Sequence, residues 1–308
     1  MLTAEQHETR NSRVSASDVA PICGLHSSRG PWSVWADKQG HRDVEETSLM
    51  RLGLAVEPLV RELGADVLGE PIHDTPGTVV ASDWACATPD GFTEEDGVEI
   101  KLTVWGDLGW GQEGTDQVPA HFVTQCAWGM FVTGRRRWHL FRFNVDSNAA
   151  NHTCTLLDAG EDPLPQLRAW FDSGCGLVTL HHYILEANKR LEEALVKKCR
   201  AYWVKHIRDG IPPEPNDEAA CRKALERSLV SVKGAAEVTP ERIIAMRYAR
   251  EAWANEAKAK KMKEAAKARL IKSMGGHQVL KVPGVGRVTH RANKHGAFSL
   301  RANWEKEE

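Results

Sequence analysis

The 308-residue chain reads as an α/β protein: a short mixed β-sheet flanked by helices, then a helical C-terminal extension ending in a small β-hairpin. Three observations predict this. Apolar residues Leu49, Leu52, Val56, Leu59, Val60, Leu63 and Val67 recur at helical period across residues 46–68. Strand-like stretches at 97–104 and 136–145 enclose a helix-like stretch at 119–133. The run Gly210-Ile211-Pro212-Pro213-Glu214-Pro215 then breaks the chain. It separates an expected first domain, residues 1–209, from a basic extension, residues 210–308.

In chain order, residues 16–24 and 32–38 read as short helices, with Ser15 and Asp18 spaced as a capping box. The helix over 46–68 follows, with Pro58 inside it to remove an N–H and kink it. Strands are expected near 77–88, 97–104, 136–145 and 152–158. Pro119 suits the first turn of the helix inserted after the second of these. Ile184, Leu191, Leu195, Tyr202 and Trp203 give residues 180–209 the pattern of a long amphipathic helix. Thr239-Pro240 supplies an N-cap and first-turn residue for a helix running to Gly275-Gly276. Residues 277–304 alternate around Gly284 and Gly286 as a hairpin. Helix, strands, helix, strands is the order of a restriction-endonuclease-like core.

Seven cysteines are scattered at least 21 residues apart with no CxxC pair, which argues against a zinc ribbon, a disulfide framework or a cysteine-ligated cluster. Such thiols fit a reducing cytoplasm. No long apolar run suggests a signal peptide or a membrane span. The net charge of −2 hides a division: residues 1–256 carry −11, whereas residues 257–304 hold twelve Lys/Arg and a single acid, Glu264. An acidic core suits a carboxylate metal site that uses a cation to screen phosphate. The basic stretch is either a DNA-attracting surface or a solvated helix face with a tail.

The most informative residues lie in Ala87-Thr88-Pro89-Asp90-Gly91-Phe92 and Gly97-Val98-Glu99-Ile100-Lys101. On the two arms of a hairpin these place two carboxylates and an ammonium together. Glu99 and Lys101, two apart on a strand, share a face, and Ile100 points into the core. Such hard oxygen ligands suit Mg²⁺ or Mn²⁺, and a lysine buried beside a metal can orient or help deprotonate a water. Ordinary hairpin chemistry also uses Pro-Asp-Gly turns before a charged strand. Gln125 shares a helical face with Phe122 and Gly129, so its amide either projects over the hairpin or packs structurally. Trp32 and Trp35 read as core anchors. Trp105 and Trp110, in a glycine-rich loop, are candidates to wedge a duplex, and Arg135-Arg136-Arg137 reads as an exposed turn.

The surrounding blocks keep a distinctive order. Arg10 is followed by Ser17 within Val14-Ser15-Ala16-Ser17-Asp18-Val19. Then come Pro31-Trp32-Ser33-Val34-Trp35, Gly53-Leu54-Ala55-Val56-Glu57-Pro58, the hairpin, and Val118-Pro119 leading to Gln125-Cys126-Ala127-Trp128-Gly129. Over residues from about 8 to 160 this resembles the YqaJ-like viral recombinase family of lambda exonuclease-like, PD-(D/E)XK nucleases. The resemblance implies that Asp90 and Glu99 are the primary metal ligands, completed by the Ile100 carbonyl, with Glu57 beside them on a helix. It implies two Mg²⁺ (or Mn²⁺) ions, Lys101 and Gln125 at the catalytic centre, and Arg10 and Ser17 on the 5′-terminal phosphate, with Arg13 a competitor for that duty. Further implications are degradation of the 5′-ended strand of linear duplex DNA to mononucleotides, a 3′ overhang, a single-strand annealing partner, a homo-oligomer, no membrane, and a phage or prophage origin in the host cytoplasm. Competing readings are a restriction-type endonuclease, a RecB-like CRISPR-associated nuclease and a catalytically inactive DNA-binding module. The missing cysteine cluster weighs against the second, and the intact Asp90, Glu99 and Lys101 against the third.

Overall fold

A computed structural model describes residues 4–40, 46–75, 77–104, 106, 109–228, 235–292 and 298–304. The chain divides into two compact units, Met1–Val230 and Ser231–Glu308. Among the described residues no helix is long and apolar enough to cross a membrane.

Three eight-residue helices open the first unit: α1 (Ala4–Asn11), α2 (Ala16–Cys23) and α3 (Pro31–Lys38). The expected capping box closes α2, with the Ser15 N–H and hydroxyl donating to Asp18 Oδ2 at 2.8 and 2.7 Å. The start of α3 is capped from far along the chain. The Glu218 carboxylate accepts the N–H groups of Gly30, Trp32 and Ser33 at 2.7, 3.1 and 3.0 Å, donors that a helix start leaves without partners. Trp32 is buried against Trp35 and donates its indole N–H to the Glu214 carbonyl at 2.6 Å. The segment after residue 209 therefore packs with the first unit.

The helix expected over 46–68 is two helices, α4 (Ser48–Ala55) and α5 (Glu57–Leu68), broken at Val56 ahead of Pro58. A strand expected over 77–88 shrinks to a ribbon of β1 (Val79–Val80) and β2 (Cys86–Ala87), because Ser82 and Asp83 favour a turn between them. The main sheet runs β3 (Gly91–Phe92), β4 (Gly97–Val104), β5 (Arg137–Val145) and β6 (Val178–Glu186) in that spatial order. Its β4–β5 pair is parallel and the other two are antiparallel, so the sheet is mixed as expected. The parallel crossover is α6 (Ala120–Thr133).

Two expectations fail here for a shared reason. Residues 152–158 are not a strand but the end of α7 (Ser147–Asp158), which the Asp146 side chain caps by accepting the Asn148 N–H at 2.8 Å. Residues 180–209 are not one helix. They begin as β6, rich in β-branched and aromatic side chains, and turn helical only at the Asn188 cap. From there run α9 (Lys189–Tyr202), after the unanticipated α8 (Leu164–Asp172), and a π-helical turn, Trp203–Arg208. A cap fixed the outcome in both places, over a weak periodicity. The unit closes with α10 (Ala219–Ser228).

The sheet is covered on both faces. One core gathers Val98, Ile100, Phe141, Phe143 and Val145 with α4, α5, α7 and α8. The other gathers Trp138, Leu140, Tyr183 and Leu185 with α2, α6 and α9. Trp138 lies where Cβ atoms at Gly97 and Gly129 would collide with its ring, so two glycines let α6 approach the sheet.

The second unit holds α11 (Pro240–Met274), capped as expected by Thr239, whose hydroxyl accepts the Arg242 N–H. The expected hairpin is a three-stranded antiparallel sheet, β7 (Val279–Val282), β8 (Gly286–Ala292) and β9 (Phe298–Trp304).

Candidate active site

The site forms where β3 ends. That strand has only two residues, pairing Gly91 with Val98 and Phe92 with Gly97, so among the described residues no strand pairs with β4 on this side beyond Val98. Asp90 lies at the boundary: its N–H donates to the Val98 carbonyl at 3.1 Å and its carboxylate Oδ2 accepts the Ile100 N–H at 2.7 Å. The side chain thus supplies the partner that a longer β3 would have given. In an antiparallel ladder a residue turns its N–H and C=O to the same neighbour, so the Ile100 carbonyl faces the Asp90 edge while its side chain is buried in the core behind.

Alternation brings Glu99 and Lys101 out on the α6 face. Lys101 Nζ and Gln125 Nε2 both donate to Glu99 Oε1, each at 2.5 Å, and the Asp90 and Glu99 carboxyls hydrogen-bond to each other. Glu99 is 3% exposed. The Lys101 ammonium lies 5.7 Å from the centroid of Phe122. Glu57, at the first turn of α5, points to the same place but pairs at 3.8 Å with Arg61, one helical turn on. Asp90, Glu99, Lys101, Gln125, Glu57 and the Ile100 backbone therefore meet at one strand edge.

The electrostatics show a surplus of negative charge. Burial first, and then the charge of Asp90, push the Glu99 carboxyl up to about 8 and Glu57 up to about 7. Burial also raises Asp90, against the pull of Lys101 and the Ile100 N–H. Lys101 is the counterpart: burial would lower it, but Glu99 and Asp90 outweigh that and hold it above its ordinary value. Among the described residues no cluster of three or more His, Cys, Asp or Glu side chains is disposed to hold a metal. Two touching carboxylates with an adjacent carbonyl still match the chemistry of Mg²⁺, which takes one or two carboxylates and keeps its waters for phosphate oxygens. The raised carboxyls are what a divalent charge would relieve.

Arg10 and Ser17 are also brought together. The Arg10 guanidinium accepts nothing and donates to Ser17 Oγ at 2.9 Å and Ser15 Oγ at 3.4 Å. Lys38 steadies the pair by donating to the Arg10 carbonyl at 2.6 Å while bridging buried Asp18 at 2.7 Å. Arg13 donates to the Ser82 and Thr9 carbonyls at 3.1 Å each.

Trp105 lies outside the described residues. Trp110 does not stand free as a wedge but packs on Phe122 and Tyr183, with the Arg142 guanidinium 4.9 Å from its ring. Of the expected exposed turn, Arg136 and Arg137 are exposed but Arg135 is half-buried. It stacks 4.5 Å over Phe92 and donates to the Glu94 and Asp96 carbonyls, while Arg137 pairs with Glu186. Sequence reasoning missed Arg61, which donates to the Asp90 carbonyl at 2.9 Å; its i+4 spacing from Glu57 was the available signal. It also missed His121, at the start of α6, whose ring lies 5.8 Å from His26 and which feels the Lys101 charge. No local signal marked that pair.

A mixed sheet between helical layers, with an Asp…Glu-x-Lys constellation at its open edge, defines the restriction-endonuclease-like class. Residues 5–136 match the sequence model of the YqaJ-like viral recombinase domain, so the resemblance carried by the motifs holds over that segment, somewhat less than half of the chain. No curated protein matches the chain. Among solved structures, it is similar to the alkaline exonuclease LHK-Exo from Laribacter hongkongensis, at 18% identity over 73% of this chain and 100% of that one, with TM-score 0.47, or 0.48 for the dAMP complex. It is also similar to a phage-related exonuclease from Haemophilus somnus 129PT, at 11% identity over 64% and 96%, with TM-score 0.42.

Proposed function

We propose that the chain is an exonuclease that degrades the 5′-ended strand of linear duplex DNA to mononucleotides, leaving a 3′ overhang, and that it depends on Mg²⁺ or Mn²⁺. The observation that carries this is the contact of Asp90, Glu99 and Lys101 at the unpaired edge of β4, within the segment that matches the YqaJ-like domain.

Asp90, Glu99 and the Ile100 carbonyl would hold the cation, and Glu57 would contribute once it leaves Arg61, which is where a second ion would draw its ligand. When bound, the metal supplies Lewis-acid polarisation of a phosphoryl oxygen and an acidified water. The protein's own residues do the rest. Lys101, held charged by Glu99, places its ammonium beside the attacking water and the developing negative charge. Gln125 fixes the Glu99 carboxylate from α6 and so sets the direction of its free oxygen. Arg10 turns its guanidinium from Ser17 to the 5′-phosphate, where a planar fork donates two parallel bonds and the Ser17 hydroxyl adds a third. Burial of Glu99 and the apolar wall of Phe122 keep the dielectric low where charge develops. The reading extends to a homo-oligomer working beside a single-strand annealing protein in phage-type recombination, in the host cytoplasm.

The test compares linear duplex bearing 5′-phosphate or 5′-hydroxyl ends with a closed circle, each with Mg²⁺ and with EDTA. Only linear forms should be lost, fastest with 5′-phosphate and not at all in EDTA. Lys101→Ala should abolish turnover and keep binding, and Arg10→Ala should erase the preference for phosphorylated ends. Cutting of the closed circle would instead favour a restriction-type endonuclease, and activity in EDTA would overturn the metal-dependent site.

A further inference from the structure

One face of the β7–β9 sheet is a cationic surface that the candidate active site does not use. In the observed register Arg287 faces Asn303, Thr289 faces Arg301 and Arg291 faces Ser299 across the β8–β9 pair. Period-two alternation puts all six on one side of the sheet, and Lys281, opposite Arg287 on β7, joins them. The three arginines and Lys281 are exposed. Among the described residues no acidic side chain holds a position on that face, and none of the three arginines makes an ion pair.

This is not how a solvated sheet face is ordinarily stabilised. Opposite charges across strands add stability and like charges directly opposite cost it. Here Arg291 and Arg301 each face a neutral hydroxyl, and Arg287 lies between the Asn303 amide on one side and the like charge of Lys281 on the other, so no charge of this face is neutralised within the sheet. The guanidinium groups are left for an outside anion, with hydrogen-bonding neighbours between them. Arg287 and Arg291, four residues apart on β8, span about 13 Å, close to the width of about 12 Å that separates the two backbones across a duplex major groove. Among the described residues no aromatic side chain holds a position on this face. Binders of single strands rely on stacking aromatics, whereas phosphate contacts need only guanidinium, hydroxyl and amide donors.

We propose that this face of the β7–β9 sheet docks the phosphate backbones of duplex DNA, giving the chain a contact with its substrate in addition to the cleavage centre. The choice of DNA as ligand rests on the nuclease reading above. The test is fluorescence anisotropy of the full chain with a 5′-phosphorylated duplex in EDTA, over a range of salt. Each phosphate contact contributes about 0.9 to the slope of log affinity against log salt. Arg287→Gln, Arg291→Gln and Arg301→Gln together should therefore reduce that slope by about 2.7. Replacing the same three by lysine, which keeps the charge, should leave the slope near wild type. The loss should be greater on duplex than on a single strand of equal length.

An unchanged slope in the glutamine variant overturns the inference. So does an equal loss with the lysine variant, which would mean damage to the fold, and so does a loss confined to single strands. Cleavage of linear duplex by the wild type, assayed separately with Mg²⁺, reports on the nuclease reading alone. A wild type that cleaves together with an unchanged slope therefore sinks only the docking face.

Discussion

Glu99 should weaken the metal-free fold, and replacing it should strengthen that fold while destroying the site. Burial and Asp90 raise its carboxyl from 4.5 to about 8. For an acid, a folded value above the unfolded one means that folding favours the protonated form. Its contribution is intact below about pH 4.5 and is lost as pH climbs to about 8. The loss accumulates at about 1.4 kcal/mol per pH unit, which makes about 3 kcal/mol by pH 7. Glu99→Gln removes this cost with little change of shape. Its amide oxygen can still accept from Lys101 and Gln125, and its amide N–H can donate to Asp90 where the Glu99 proton did. Urea unfolding of both proteins in EDTA between pH 4.5 and 8.5 measures the difference directly. The variant should match wild type near pH 4.5, gain steadily, and stand about 3 kcal/mol ahead at pH 7 with no nuclease activity. Mg²⁺ should narrow the gap by stabilising wild type alone. A variant weaker than wild type at pH 7, or a gap that does not grow with pH, would refute the picture of a strained, uncompensated carboxylate pair.

Two further substitutions test the scaffold. Lys38→Met leaves Asp18, which is 5% exposed, as a buried charge without its partner, and should cost about 3–5 kcal/mol at neutral pH. Burial alone would raise Asp18, but Lys38 and Ser15 hold it below its ordinary value. Its contribution is therefore present above about pH 4 and fades as pH falls, so the penalty should shrink in acid; a pH series of thermal melts checks this, and a penalty independent of pH would remove Asp18 from the account. Gly129→Leu drives a side chain into Trp138, whose ring already lies 2.7 Å from a Cβ built there, and should destabilise by about 1–3 kcal/mol, read from the urea midpoint.

What the sequence made legible follows from how local the cause was. The capping box at Ser15 and Asp18 and the Thr239 cap depend on residues a few positions apart and are found as expected, whereas the kink expected at Pro58 is a full break at Val56. Glu99 and Lys101 also share a face as expected, since alternation along a strand needs no tertiary information. The failures at 152–158 and 180–209 arose where an apolar pattern fitted both periods and a single capping residue, Asp146 or Asn188, settled the matter. Trp110 was misjudged because its partners, Phe122 and Tyr183, come from elements distant in sequence. The capping of α3 by Glu218 was invisible for the same reason.

The shortness of β3 ties these strands of argument together. An unpaired strand edge is normally a hazard that proteins cover or charge. Here the edge of β4 past Val98 is closed by the Asp90 side chain, whose carboxylate takes the Ile100 N–H in place of a strand partner. That substitution leaves room at the edge and puts an acid into it, 10 residues in sequence from the strand position it serves. Glu99 then arrives beside Asp90 by alternation alone, and the two carboxyls are forced to share a hydrogen bond in a buried place. Continuing β3 until it faced Ile100 would pair that edge by backbone and leave no room for the carboxylate there. The proposed function gives this destabilised edge its use, as the place that would receive a hard cation and a phosphate.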